Sequence, residues 1–360
     1  MTQSAKAVDF TALKSALVES NSTGSSPEVR QVVETVIADI RQRGDVAVRE
    51  YSEKFDNWSP DSFLLSQSDI DDAIASLPSQ VIDDIRFVQV QVRNMAQRQK
   101  DSLEDFEIET LDGVFLGQKN VPISRAGAYI PGGKYPLLAS AHMTIVTAKV
   151  AGVKEVIAMT PPLNGEVPAA TIAAMHMAGA DQIYLLGGVQ AVAAMAVGTE
   201  TIPSVDMIAG PGNAYVAEAK RQLFGEVGID LFAGPTEVLV VADDKADPFV
   251  VAVDLLSQAE HGPESPAILI TTSQEVGTEV IRLIDDILPG MPTNDYAEPA
   301  WRNFGQVLVV DSLDDAYRLA DQFASEHVQI LTENPREALE KMRHYGALFL
   351  GEGTCVSYGD

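Results

Sequence analysis

Cysteine is almost absent from this 360-residue sequence: Cys355 is the only one, which excludes an intrachain disulfide and a thiolate zinc cluster. Basic residues are also few, 25 Lys and Arg against 52 Asp and Glu, for a formal net charge of −27. Such a surface repels phosphate backbones and anionic membranes, although a single basic pocket can persist on it. No apolar run reaches the roughly 18 residues of a membrane span, and the opening MTQSAKAVDFTALKSALVES lacks the apolar centre of a signal peptide. A cytoplasmic protein that binds neither nucleic acid nor membrane is the expectation. What is present is ordinary for a globular α/β chain: 46% hydrophobic residues, 6% aromatic, and enough length for two or three domains.

Residues 1–25 are polar and Ser-rich, and read as a helical N-terminal arm followed by a loop. From Pro27 to about Phe55 the spacing predicts helix with one Gly break, and a further helical region covers about Asp69 to Gln99. Short strand-like pieces, FEIETL and GVFLGQKNVPI, come next. From Gly127 apolar strand-like runs (GAYI, EVIAMT, QIYLLG, VDMIAG) alternate with helical stretches, and after Ala233-Gly234-Pro235 the alternation restarts through EVLVVAD, AILITT, QVLVVD, VQILTE and ALFLGE. Continuous apolar strands between amphipathic helices imply parallel sheets covered on both faces. The expected fold is therefore α/β with two doubly wound, Rossmann-like units. Residues 26–125 plus 236–360 would form one unit, with 126–235 inserted as the other.

Histidine is scarce enough for each of the five to be weighed. His176, within AAMHMAGA, and His344, within KMRHYG, read as packing or surface residues. His327 follows Glu326 where a helical stretch gives way to a strand, a position suited to a general base; a charged helix end is the plain alternative. In LLSQAEHGP, Gln258 and His261 are three apart at a helix end, as either a surface hydrogen-bonded pair or half of a metal site. Three glycine turns follow successive strands: AYIPGGKYPL with Gly132 and Gly133, LLGGVQAVAAM with Gly187 and Gly188, and IAGPGNAYVAEAK with Gly210 and Gly212. Each is an ordinary tight turn or an anion-binding loop at a helix start, and none matches G-x-G-x-x-G.

AYIPGG, GPGNAYVAEAK, DLFAGPTEVLVVAD, LLSQAEHGP and ASEHVQI, in this order, resemble the histidinol dehydrogenase family from about residue 30 to the end. The resemblance implies a zinc- and NAD-dependent oxidation of a primary alcohol through an aldehyde to a carboxylate, by a homodimer with swapped segments. It implies Gln258, His261 and Asp360 as zinc ligands, Glu326 and His327 as the catalytic pair, and Tyr129, Gln190 and Asn213 as NAD contacts. It places Thr236 against the substrate, together with Gln258, His261, His327 and Asp360. KFDNWSP, KYPLLASAHMTIVTAKVAGV and GALFLGEGTCVSYGD resemble the family's sulfopropanediol dehydrogenase branch, which implies oxidation of 2,3-dihydroxypropane-1-sulfonate to 3-sulfolactate. There Lys134 and His142 are candidates to hold the sulfonate, with a solvated loop and core packing as their alternatives. L-Histidinol is the first alternative substrate, and a non-catalytic binding paralogue the alternative of another class. Family members continue past the position of Asp360 with a further zinc-binding His, so the shell supplied by these residues is expected to be incomplete and zinc binding weak.

Overall fold

The computed structural model describes residues 8–18, 26–132, 137–231 and 236–359. The chain divides into two compact units, one of residues 24–233 and one of residues 1–23 with 234–359. Strands are numbered along the chain, so β1, Thr11–Lys14, belongs to the second unit.

The first unit opens with helices Pro27–Arg43 and Asp45–Asp56. Ser26 caps the first by accepting from Val29 N–H. The predicted Gly break is Gly44, at φ +54°, where the Glu200 carboxylate lies against the Cα and accepts from Asp45 N–H at 2.9 Å. Helices Gln67–Ala75 and Ser79–Asp101 follow, then the antiparallel pair β2 (Phe106–Leu111) and β3 (Val114–Gln118), joined at Asp112-Gly113. The parallel strands β4 (Arg125–Tyr129), β5 (Glu155–Thr160), β6 (Gln182–Leu185), β7 (Met207–Ala209) and β8 (Gly228–Ile229) form one sheet in the order β6-β5-β4-β7-β8. β4, the first strand of the sheet, sits at its centre, and the order reverses between β4 and β7, the switch point of a doubly wound fold.

The division between units differs from the expected one. Residues 26–125 lie with 126–235, not with 236–360. Val33, Val36, Ile37 and Ile40 of the first helix share a core with Val189, Val192 and Met195 of helix Gly188–Val197, while Ile70, Ala73 and Ile85 share another with Ile145 and Ile172. An amphipathic stripe announces that a helix must be covered, but not by which sheet.

In the second unit β9 (Val238–Ala242), β10 (Ala267–Thr271), β11 (Gln306–Val309), β12 (His327–Leu331) and β13 (Ala347–Leu350) are parallel. The sheet order is β1-β11-β10-β9-β12-β13, with the switch between β9 and β12. The helical arm is corrected here: its described part is the strand β1, antiparallel to β11, with Thr11 opposite Val309. An unpaired edge of β11 would leave a row of amides and carbonyls unmatched, and the arm supplies their partners. Beyond the strand, Leu17 N–H donates to Asn303 O at 2.7 Å and Lys14 Nζ to Gly305 O at 2.7 Å. Among the described residues no helix is long and apolar enough to cross a membrane.

Candidate functional site

The first unit gathers its candidates at the carboxyl ends of its strands, where doubly wound sheets hold ligands. Tyr129 closes β4, and its phenol oxygen accepts from Gly188 N–H at 3.1 Å, in the turn after β6. The ring is buried, which pushes its pKa up to about 12, so the phenol keeps its proton. Gln190, fully buried on helix Gly188–Val197, donates from Nε2 to Asp56 Oδ2 at 2.8 Å. Its Oε1 is buried with no hydrogen-bond partner among the described residues, an acceptor suited to a ligand hydroxyl. Burial raises the Asp56 pKa against the Gln190 bond. Asn213 caps helix Ala214–Leu223 by accepting from Tyr215 and Val216 N–H, which occupies Oδ1 and leaves the amide nitrogen to donate. Gly210, at φ +125°, brings the β7 turn against the Tyr129 carbonyl.

His142 is not an open anion contact. It starts a π-helical turn, His142–Val146, is 4% exposed, and its Nδ1 lies 3.2 Å from Gln89 Nε2. Burial lowers its pKa to about 4, so the imidazole is neutral at pH 7 and offers a sulfonate no positive charge. Lys134 lies outside the described residues.

The second unit uses the opposite end of its sheet. His327 is the first residue of β12, Thr236 precedes β9, and helix Pro248–Ala259 returns from the far edge to end at Gln258. Apolar burial of Leu255, Leu256 and Ala259 draws this helix onto the sheet and takes Gln258 with it, to 3% exposure. The helix stops before His261, which is exposed in the following turn with its N–H on Gln258 O at 3.1 Å. The pair is therefore not a surface pair on one helix face.

Thr236 connects the others: its hydroxyl is 3.2 Å from Gln258 Oε1 and 3.1 Å from Glu326 Oε2. One hydroxyl proton serves one of these acceptors at a time. His327 Nδ1 is 3.1 Å from the Glu237 carbonyl oxygen and 3.7 Å from Glu326 Oε2. A carbonyl can only accept, so Nδ1 carries the proton and Nε2 is left as the base. The Phe349 ring packs at 6.2 Å from the imidazole.

Glu237 escaped the sequence reading although it stands beside Thr236 in AGPTE. Its side chain accepts from Glu326 N–H at 3.1 Å, while its carbonyl orients His327. Burial, then the nearby Glu326 charge, raises its pKa. The legible signal was an acid next to a proposed substrate contact at a strand start. Asp360 lies outside the described residues, and among those described no group of three or more His, Cys, Asp or Glu could hold a metal. Gln258 oxygen and His261 nitrogen are donors of the kinds zinc accepts.

This pairing of an oriented imidazole with a carboxylate agrees with what the chain resembles. The histidinol dehydrogenase family model matches residues 19–360. The chain belongs to the histidinol dehydrogenase family. A histidinol dehydrogenase homolog of Shouchella clausii is 58% identical over 348 residues, 97% of this chain and 82% of that protein. The sulfopropanediol 3-dehydrogenase of Ruegeria pomeroyi is 43% identical over 97% of this chain and 80% of its own length. The histidinol dehydrogenase of Neisseria meningitidis serogroup B is also 43% identical, over 94% of this chain and 79% of its own. The crystal structure of histidinol dehydrogenase from Elizabethkingia anophelis superposes with a TM-score of 0.89 at 34% identity, covering 96% of this chain and 78% of that one. Membership makes the protein an oxidoreductase acting on CH–OH. Equal identity to relatives named for two different substrates leaves the substrate to the site's chemistry.

Proposed function

We propose that this protein catalyses a zinc- and NAD-dependent four-electron oxidation of a small polar primary alcohol to a carboxylate. The observation that carries the reading is the His327 Nδ1 contact with the Glu237 carbonyl, which leaves Nε2 free as a base beside Glu326 and Thr236. Gln258 and His261, with Asp360, would hold the zinc; Tyr129, Gln190 and Asn213 would bind NAD, and the orphaned Gln190 Oε1 supports a hydroxyl-bearing ligand there. When bound, zinc polarises the substrate hydroxyl and NAD accepts hydride.

The residues supply the rest. His327 Nε2 takes the alcohol proton in the first oxidation and serves again in the second. Glu326 takes a proton from the water that adds to the aldehyde between them. Thr236, 3.1 Å from Glu326 Oε2, would fix that carboxylate by donating to it, leaving the Gln258 oxygen to the zinc it would hold.

2,3-Dihydroxypropane-1-sulfonate is the preferred substrate, on the strength of the branch-like segments, with L-histidinol second. The test is NADH formation with each alcohol, with zinc supplied and after chelation. Oxidation of the sulfonated diol alone supports the first reading and oxidation of histidinol alone the second. Turnover of neither, with zinc bound, points to a binding paralogue. Turnover undiminished by chelation would overturn the metal assignment.

A homodimer is part of the same proposal. The pair β2–β3 stands apart from both larger sheets, and Phe106, Ile108, Leu116 and Leu111 on it are exposed by 50% or more. A lone two-stranded hairpin is marginal in water, so cover by a second copy is expected. Ile108→Lys combined with Leu116→Glu should halve the mass measured by light scattering and leave the circular dichroism of the helices unchanged. A dimer that survives both changes would move the interface elsewhere.

A further inference from the structure

The segment KFDNWSP, residues 54–60, has no part in the mechanism above, yet it grips the turn that carries Gln190. Helix Asp45–Asp56 ends inside it, and Asn57 stops that helix at φ +50°. Two side chains then reach across to the sheet. Trp58 Nε1 donates to the carbonyl of Leu185, the last residue of β6, at 3.0 Å. Asp56 Oδ2 accepts from Gln190 Nε2 at 2.8 Å, on the first turn of helix Gly188–Val197. The connection from β6 to this helix is thus fastened at both ends, and Tyr129 accepts the Gly188 N–H between them.

Asp56 is badly placed for stability. It is the last residue of its helix, where the dipole is negative, it is half-buried, and its partner is a neutral amide rather than a cation. Asparagine would accept the same bond with no charge to desolvate. What asparagine lacks is exclusiveness. A carboxylate offers no donor, so only the NH2 end of the Gln190 amide can face it, and Oε1 is directed elsewhere. An asparagine could equally donate to Oε1 with the Gln190 amide reversed. The oxygen that Asp56 leaves over is the orphan: Gln190 is fully buried, and Oε1 has no hydrogen-bond partner among the described residues. It lies against Gly188, where an added Cβ would come within 2.8 Å of it. Only a residue without a side chain leaves room beside that oxygen.

We propose that Asp56 is a positioning residue for the cofactor: its carboxylate fixes the Gln190 amide in the one orientation that presents Oε1 to a hydroxyl or amide N–H of NAD. An acceptor with a carboxylate behind it repels phosphate oxygens, so the pyrophosphate belongs elsewhere in the unit. The inference rests on the reading of Gln190 as an NAD contact; the Asp56–Gln190 bond does not.

The test measures NAD binding by calorimetry and Tm in the absence of NAD. Asp56→Asn should raise the NAD Kd about 5–50-fold, the cost of an acceptor committed to the wrong donor. Its Tm should stay within about 2 °C of wild type or rise, because the bond survives without the charge. Gln190→Met, similar in shape and without the oxygen, should raise Kd by a similar factor. Adding Asp56→Asn to Gln190→Met should then change Kd no further, since Asp56 acts only through the amide. Equal Kd in wild type and Asp56→Asn overturns the proposal, and so do losses that multiply in the double variant. A fall in the Asp56→Asn Tm beyond that margin overturns it as well, because the carboxylate would then be holding the fold. If the wild type binds no NAD, the cofactor reading itself fails and takes the proposal with it.

Discussion

Replacing His327 by Ala should lower kcat about 10²–10⁴-fold, the usual contribution of a positioned general base, with NAD affinity unchanged. The size follows from what the imidazole alone provides. Its Nδ1 proton is committed to the Glu237 carbonyl at 3.1 Å, so Nε2 is the nitrogen left to accept a proton. In the proposed mechanism both oxidations use it, so the variant should be slow whether the alcohol or the aldehyde is supplied. Glu326→Gln should behave differently: water addition is affected and the first hydride transfer much less, so aldehyde should escape and be trapped by a hydrazine reagent. Stability serves as the control. The lost contact is one partly exposed hydrogen bond, about 1 kcal/mol, too little to unfold the unit. Full activity in His327→Ala with either substrate would remove the base assignment, and equal aldehyde release from wild type and Glu326→Gln would remove the division of labour.

The strands were the most legible part of this molecule. EVIAMT and AILIT are uninterrupted apolar runs because both faces of their sheets are covered, and they coincide with β5 and β10. The Gly break in the first helical stretch was legible too, and it is Gly44. The arm was not legible: TALK has no preference strong enough to choose strand over helix, and only the free edge of β11 makes the choice. The assignment of residues 26–125 failed for a related reason, since Val33 and Ile40 show a buried stripe but not the helix that covers it. In the site, His327 and Glu326 could be found from the strand start and from the family motif. Glu237 was legible only as an acid beside Thr236 at a strand start, because its orienting contact with His327 is made by a backbone carbonyl, which carries no sequence signature. The surroundings of His142 were not legible either, because Gln89, more than fifty residues earlier, meets it within the core.

Gly210→Ala should be the most damaging single substitution to the first unit. An added Cβ would lie 2.0 Å from the Tyr129 carbonyl oxygen and 2.9 Å from its carbon, at a residue whose φ is +125°. Both obstacles are backbone, so no side-chain rotation relieves them, and the backbone conformation is itself one that side chains disfavour. The turn has little freedom to retreat. Gly210 N–H donates to Asp230 Oδ2 at 2.7 Å, its carbonyl accepts from Lys220 Nζ at 2.9 Å, and Lys220 is ion-paired with Asp230. Either β7 separates from β4 or the Lys220–Asp230 clasp opens, and each outcome exposes buried polar groups. A loss on the order of 4 kcal/mol is expected, which for a unit of this size corresponds to a fall in Tm of about 8–16 °C. NAD affinity should fall with it, because Tyr129 and the turn before Asn213 move together. Gly225→Ala is the matched control: φ is +103° there, but nothing lies within 4 Å of the added atom, so only the conformational cost of about 1–2 kcal/mol remains. If calorimetry gave equal falls for the two variants, the close approach of β7 to Tyr129 would not be what the glycine is there to allow.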